Sequence, residues 1–85
     1  MNKTILITGA AKRIGKEIAL TYCDMGWNII IHYNSSKNDA EKLANEINSK
    51  NPESAKIIQA NLDISSDVQK LINESRDCFE SIDVI

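Results

Sequence analysis

The chain has 85 residues, 42% hydrophobic and 26% charged, with 10 basic against 12 acidic side chains and a formal net charge of −2. This composition fits one small globular domain and excludes a disordered tail, a collagen-like repeat and a coiled coil. The mildly acidic balance gives no general attraction to nucleic acid or to an anionic membrane, so neither is expected as a partner.

Thr4 to Thr8 form a short β-rich run without polar alternation, the pattern of a strand covered on both faces in a parallel sheet. From Arg13 the period changes. Ile14, Ile18, Tyr22 and Met25 recur at helical spacing, and Gly26 stands where a helix-terminating glycine belongs. A second buried strand is expected from Trp27 to Tyr33 around Ile29-Ile30-Ile31, followed by a polar turn at Asn34, Ser35 and Ser36. The next helix places Ala40, Leu43, Ala44 and Ile47 on one stripe and ends before Asn51-Pro52, where proline prevents continuation. A third strand is expected from about Ala55 to Leu62. Ser66 and Gln69 resemble a capping box that opens a third helix, with Val68, Leu71, Ile72, Ser75 and Phe79 along its stripe. Ser81 to Ile85 begin a fourth strand.

Strands alternating with helices predict the α/β class and a doubly wound parallel sheet. Right-handed crossovers order the strands 3-2-1-4, with the first two helices on one face and the third on the other. Cys23 and Cys78 then lie on opposite sides of the sheet, and both are expected to be reduced thiols. No apolar stretch reaches membrane length, since Lys12 and Arg13 interrupt the first, and the protein is expected to be cytoplasmic. A sheet that stops at the start of its fourth strand is half built at a central position. Residues 1–85 therefore read as the N-terminal part of a single, longer domain, with a complete 85-residue protein as the alternative.

The most informative stretch is Thr8-Gly9-Ala10-Ala11-Lys12-Arg13-Ile14-Gly15. A buried strand that ends in a glycine-bearing turn and opens a helix presents free backbone N–H groups and the positive end of the helix dipole, which together favour a phosphate. Within the dinucleotide-binding spacing Gly-x-x-x-Gly-x-Gly, Gly9 and Gly15 occupy the outer positions and Arg13 replaces the middle glycine. An ordinary strand-to-helix turn with two glycines is the alternative. At the end of the second strand, where an NAD-binding protein usually places an acid against the ribose, His32-Tyr33-Asn34-Ser35-Ser36-Lys37 contains no carboxylate. Serine hydroxyls and the charges of Lys37 and Lys12 suit a 2′-phosphate, so NADP(H) is the expected cofactor; helix N-capping is the competing role for either serine. His32 by itself reads as a hydrogen-bonded structural residue without a metal partner. Asn61 and Leu62 are placed to meet an adenine edge, or Asn61 to form a turn. Asp39, Glu41, Glu46, Asp67, Glu74 and Asp77 read as solvated helix faces.

Taken together, the Thr8 to Gly15 turn, the acid-free end of the second strand, Asn61-Leu62 and Ile82-Asp83-Val84-Ile85 resemble the short-chain dehydrogenase/reductase family. The resemblance implies a Rossmann-type fold and an NADPH-dependent reductase. The Thr8 to Gly15 stretch, with Arg13 its most discriminating residue, and the His32 to Ser36 segment look most like the pteridine reductases, including the bacterial dihydromonapterin reductase and alternative dihydrofolate reductase group. On that resemblance Arg13 contacts the cofactor phosphates and approaches a pterin substrate, Ile14 donates its backbone N–H to the pyrophosphate, and Ser36 holds the 2′-phosphate. His32 and Tyr33 flank the adenosine, Asn61 and Leu62 meet the adenine, and Gly9, Lys12, Gly15, Asn34 and Ser35 complete the cofactor site. The family commonly has aspartate where Asn61 stands, and the basic residue that some relatives carry before Ser36 is Ser35 here. Its catalytic Tyr-x-x-x-Lys pair is assigned to no residue of this chain, and a homo-oligomer, commonly a tetramer, is expected. A carbonyl reductase acting on 3-oxoacyl or similar substrates is the second reading, and a non-catalytic nucleotide-binding module the third.

Overall fold

The computed structural model describes residues 3–9 and 13–79. Its elements are β1 (Thr4–Ile7), α1 (Arg13–Asp24), β2 (Asn28–Tyr33), α2 (Lys37–Lys50), β3 (Ala55–Gln59) and α3 (Ser65–Cys78). The expected fourth strand, Ser81 to Ile85, lies outside the described residues.

β2 is the centre of a parallel three-stranded sheet ordered β1-β2-β3, with Leu6 opposite Ile30 on one side and Ile31 opposite Ile57 on the other. Both neighbours and both faces cover it, so Ile29, Ile30, Ile31 and His32 are all buried in sequence without alternation. β3, at an edge, alternates more and exposes Lys56 and Gln59. It stops at Gln59, earlier than the expected Leu62, although the Ala60 N–H still reaches the Tyr33 carbonyl at 3.0 Å.

Strand alternation divides the core. Ile5, Ile7, Ile29 and Ile31 pack with Ala19 and Cys23 of α1 and with Ala40, Leu43, Ala44 and Ile47 of α2. On the other face Leu6, Ile30, Ile58 and Ala60 meet Leu71 of α3, with Cys78 and Phe79 half-buried beside them. Two helices thus cover one face and α3 the other, as right-handed crossovers require. Cys23 and Cys78 are free thiols on opposite sides of the sheet. Burial pushes the Cys78 thiol pKa up, against the lowering effect of Lys56 and with Glu74 and Asp77 adding to the rise, so it is a poor nucleophile at neutral pH.

α1 departs from its expected packing. Ile14 and Met25 are 76% and 61% exposed, and the buried positions are Ala19 and Cys23. Small side chains let the helix lie close against the sheet, so Ile14 and Ile18 point outward along a groove lined by Ile14, Glu17, Ile18, Thr21 and Tyr22, while Tyr22 itself is half-buried against the core. Periodicity alone marks an apolar stripe; closeness of approach decides which stripe is covered.

The C-terminus of α1 is a Schellman motif: Gly26 N–H donates to Cys23 O at 2.9 Å and Trp27 N–H to Tyr22 O at 3.0 Å. The Trp27 ring meets Tyr22 edge-on with centroids 4.8 Å apart, which supplies the accompanying hydrophobic contact. Gly26 has φ +84, so Gly26→Ala, though it meets open space, should lower stability by about 1–2 kcal/mol through left-handed strain, read as a lower denaturant midpoint.

The capping box expected at Ser66 and Gln69 does not form. α3 begins at Ser65 with Ile64 at the N-cap and no side-chain cap bond, so Ser66 is already helical. Gln69 instead donates to Asn73 Oδ1 at 3.2 Å. Ser75 is fully buried on the sheet-facing side, as its stripe position implied.

Candidate functional site

The described candidate residues gather at the C-terminal edge of the sheet, where ligands bind in open α/β folds. β1 leads through Thr8 to Gly9, whose φ of +64 is left-handed and favours glycine. The helix that follows opens at Arg13 and has no acidic side chain in its first turn, whereas α2 carries Asp39 and α3 carries Asp67 there. The first-turn N–H groups of a helix have no intrahelical acceptor. With Lys16 the only charged side chain described in that turn, these amides suit an anion. Gly15 is half-buried and Ile14 exposed. Lys12, Ala10 and Ala11 lie outside the described residues, as does the side chain of Arg13.

At the end of β2, Tyr33 is half-buried against the face covered by α1 and α2, and Asn34 is held by Gln59, whose Nε2 donates to Asn34 O at 3.3 Å and to Asn34 Oδ1 at 3.1 Å. Ser36 stands at the N-cap of α2 but makes no side-chain cap bond. Only its backbone carbonyl is used there, accepting from Ala40 N–H at 3.0 Å. The capping role weighed for this serine is therefore not filled, and its hydroxyl is left for another partner. Ser35 is exposed. Lys37 is paired with Glu41 at 3.9 Å on an exposed helix face, a contact worth at most about 0.5 kcal/mol and easily given up.

At the end of β3, Asn61 forms the turn that was the alternative to an adenine contact: its Oδ1 accepts from Asp63 N–H at 3.0 Å. Its side-chain NH2 is the group that this leaves for a ligand. Leu62 is 45% exposed. Asp67, expected to be solvated, accepts the Asn61 N–H through Oδ2 at 2.9 Å and so fixes the loop between β3 and α3. Its position in the first turn of α3 was the available signal, since an acid there can reach back to orphan amides. Gln59 gave no comparable signal.

His32 lies beneath these segments, 5% exposed, with Nδ1 accepting from Gly9 N–H at 3.1 Å and Nε2 donating to Ala60 O at 2.8 Å. It is the hydrogen-bonded residue that a lone histidine at a strand end implied. Tyr33 and Lys37 stand four residues apart, the spacing of a Tyr-x-x-x-Lys pair. They span a strand end, a bend and a helix start, so they lack the shared helical face that this spacing provides within a helix.

A parallel sheet wound by helices on both faces, with a glycine turn opening the first helix at its C-terminal edge, defines a Rossmann-type α/β protein. The chain belongs to the short-chain dehydrogenase family, whose model matches residues 3–85. It is 41% identical over 85 residues to the 3-oxoacyl-(acyl-carrier-protein) reductase FabG of Staphylococcus epidermidis, covering 100% of this chain and 34% of that protein. It is also 42% identical over 71 residues to the oxidoreductase YmfI of Bacillus subtilis, covering 84% of this chain and 29% of the relative. A short-chain type dehydrogenase/reductase of Picea abies is 32% identical over 88 residues, covering 98% and 32%. The chain thus spans about a third of the length of these curated relatives. The family part of the resemblance holds, while the relatives' names favour the 3-oxoacyl reading over the pteridine reductase one. The pteridine reductase likeness rests on two short stretches, at Arg13 and at His32 to Ser36, whereas the identity to the 3-oxoacyl reductase runs through all 85 residues. Among the described residues, no helix is long and apolar enough to cross a membrane.

Proposed function

We propose that this chain is the cofactor-binding part of an NADPH-dependent reductase of 3-oxoacyl thioesters. The observation that carries the substrate class is the 41% identity to a 3-oxoacyl reductase, which runs through all 85 residues. A nicotinamide cofactor held by this chain would supply hydride chemistry for carbonyl reduction. The residues of this chain bind and orient it. The first-turn amides of α1, Ile14 and Gly15 among them, receive the pyrophosphate, with Arg13 and Lys12 adding positive charge. The uncapped Ser36 hydroxyl and the loosely paired Lys37 receive the 2′-phosphate, with Tyr33, Asn34 and Ser35 beside the adenosine. Asn61 and Leu62 meet the adenine edge. The proton donor is assigned to none of these residues.

In the full-length protein, NADPH should bind at least about tenfold more tightly than NADH by fluorescence titration, a difference of about 1.4 kcal/mol. Equal affinities would refute the argument from the missing acid. Steady-state assays should show NADPH oxidation with a 3-oxoacyl thioester and none with a dihydropterin. The reverse result would restore the pterin reading.

A further inference from the structure

We propose that His32 is a positioning residue for the nucleotide site: its ring fixes the exit of β1 by holding the Gly9 amide, and its side chain does not itself touch the cofactor. This rests on the cofactor site proposed above and changes the part played in it by His32.

A backbone N–H can only donate and a carbonyl can only accept. The bonds from Gly9 N–H to Nδ1 and from Nε2 to Ala60 O therefore select the neutral ring with its proton on Nε2. Both ring nitrogens are consumed, and with the residue 5% exposed no polar side-chain atom of His32 is left for the adenosine. The Gly9 amide is consumed as well. The amides that open α1 remain for an anion, and Gly9, in its left-handed conformation, turns the chain as it leaves β1.

One side chain on the central strand thus ties the exits of its two neighbours. Gly9 lies 23 positions before His32 and four before the start of α1; Ala60 lies 28 positions after it and directly before Asn61-Leu62. Ala60 is held a second time by its N–H to the Tyr33 carbonyl at 3.0 Å. The β3 exit therefore keeps a tie to β2 without the ring, whereas the hydrogen bond to His32 is the long-range tie seen at Gly9 among the described residues. Loss of the Nδ1 contact should act on the β1 exit at Gly9 first.

Asparagine and glutamine separate the two contacts. The Asn side-chain oxygen can take the place of Nδ1 and accept from Gly9, while the Gln side-chain NH2 can take the place of Nε2 and donate to Ala60. In the full-length protein, His32→Asn should leave the NADPH dissociation constant within about threefold of wild type. His32→Gln should raise it about tenfold, the scale of one buried amide left without its acceptor. Melting temperatures of the two variants measured alongside control for general destabilisation, which would not follow the Asn against Gln distinction. Equal affinities for the two variants, or tighter binding by His32→Gln, would overturn the inference and leave the site reading standing. A wild-type protein that binds neither NADPH nor NADH would overturn both. Hydrogen exchange of the wild-type Gly9 amide tests the same contact without any variant: protection before NADPH is added is expected, and free exchange would overturn the inference.

Discussion

Replacing Ser36 with aspartate in the full-length protein should weaken NADPH binding about 100-fold, equivalent to about 2.8 kcal/mol, while NADH binding changes little or improves. The expected effect is electrostatic. The proposed 2′-phosphate sits against a hydroxyl that makes no cap bond, at the start of α2, and a carboxylate there opposes the phosphate directly while accepting the free 2′-hydroxyl of NADH. The substitution separates affinity from stability, because aspartate is among the better N-cap residues and Ser36 occupies the N-cap. Titration of both nucleotides checks it. A loss of less than about threefold for NADPH would move the 2′-phosphate away from Ser36.

The second large effect is on the fold. Ile30→Ala should destabilise the protein by about 2–4 kcal/mol, seen as a lower denaturant midpoint with an unchanged slope. Ile30 is fully buried at the centre of β2 and packs with Leu6, Ile58, Ala60 and Leu71 on the face covered by α3. Neighbouring strands and α3 hold the surrounding side chains, so the cavity left by truncation cannot collapse easily. His32 follows two residues later on the same strand, so part of this loss should also reach the nucleotide site, as weaker NADPH binding. A cost under about 1 kcal/mol would mean that the face between β2 and α3 is not closely packed.

Much of the fold was legible because it is written locally. Uninterrupted apolar runs marked β1 and β2 as strands covered on both faces, Gly26 marked the end of α1, and Pro52 closed α2. The third strand and third helix were placed less well at their junction. Ile64 in extended conformation starts α3 before the serine that resembled a cap, and Asp67 rather than Ser66 reaches back into the loop. The polar ends of the strands were legible as candidate positions and not as contacts. Asn61 could turn or bind, and Ser36 could cap or bind. Those alternatives differ only in where a side-chain hydrogen bond goes, which depends on neighbours distant in sequence.

By itself the sequence determined the order of elements, the parallel sheet, the turn that opens α1 and the absence of an acid after β2, because each depends on residue type and on spacing along the chain. Tertiary structure decided which stripe of α1 is covered, since the small side chains at Ala19 and Cys23 permit close approach and leave Ile14 outside. It also decided what His32 does. Gly9 and Ala60 are far from it in the chain and become its two partners only when the parallel register brings three strand ends together.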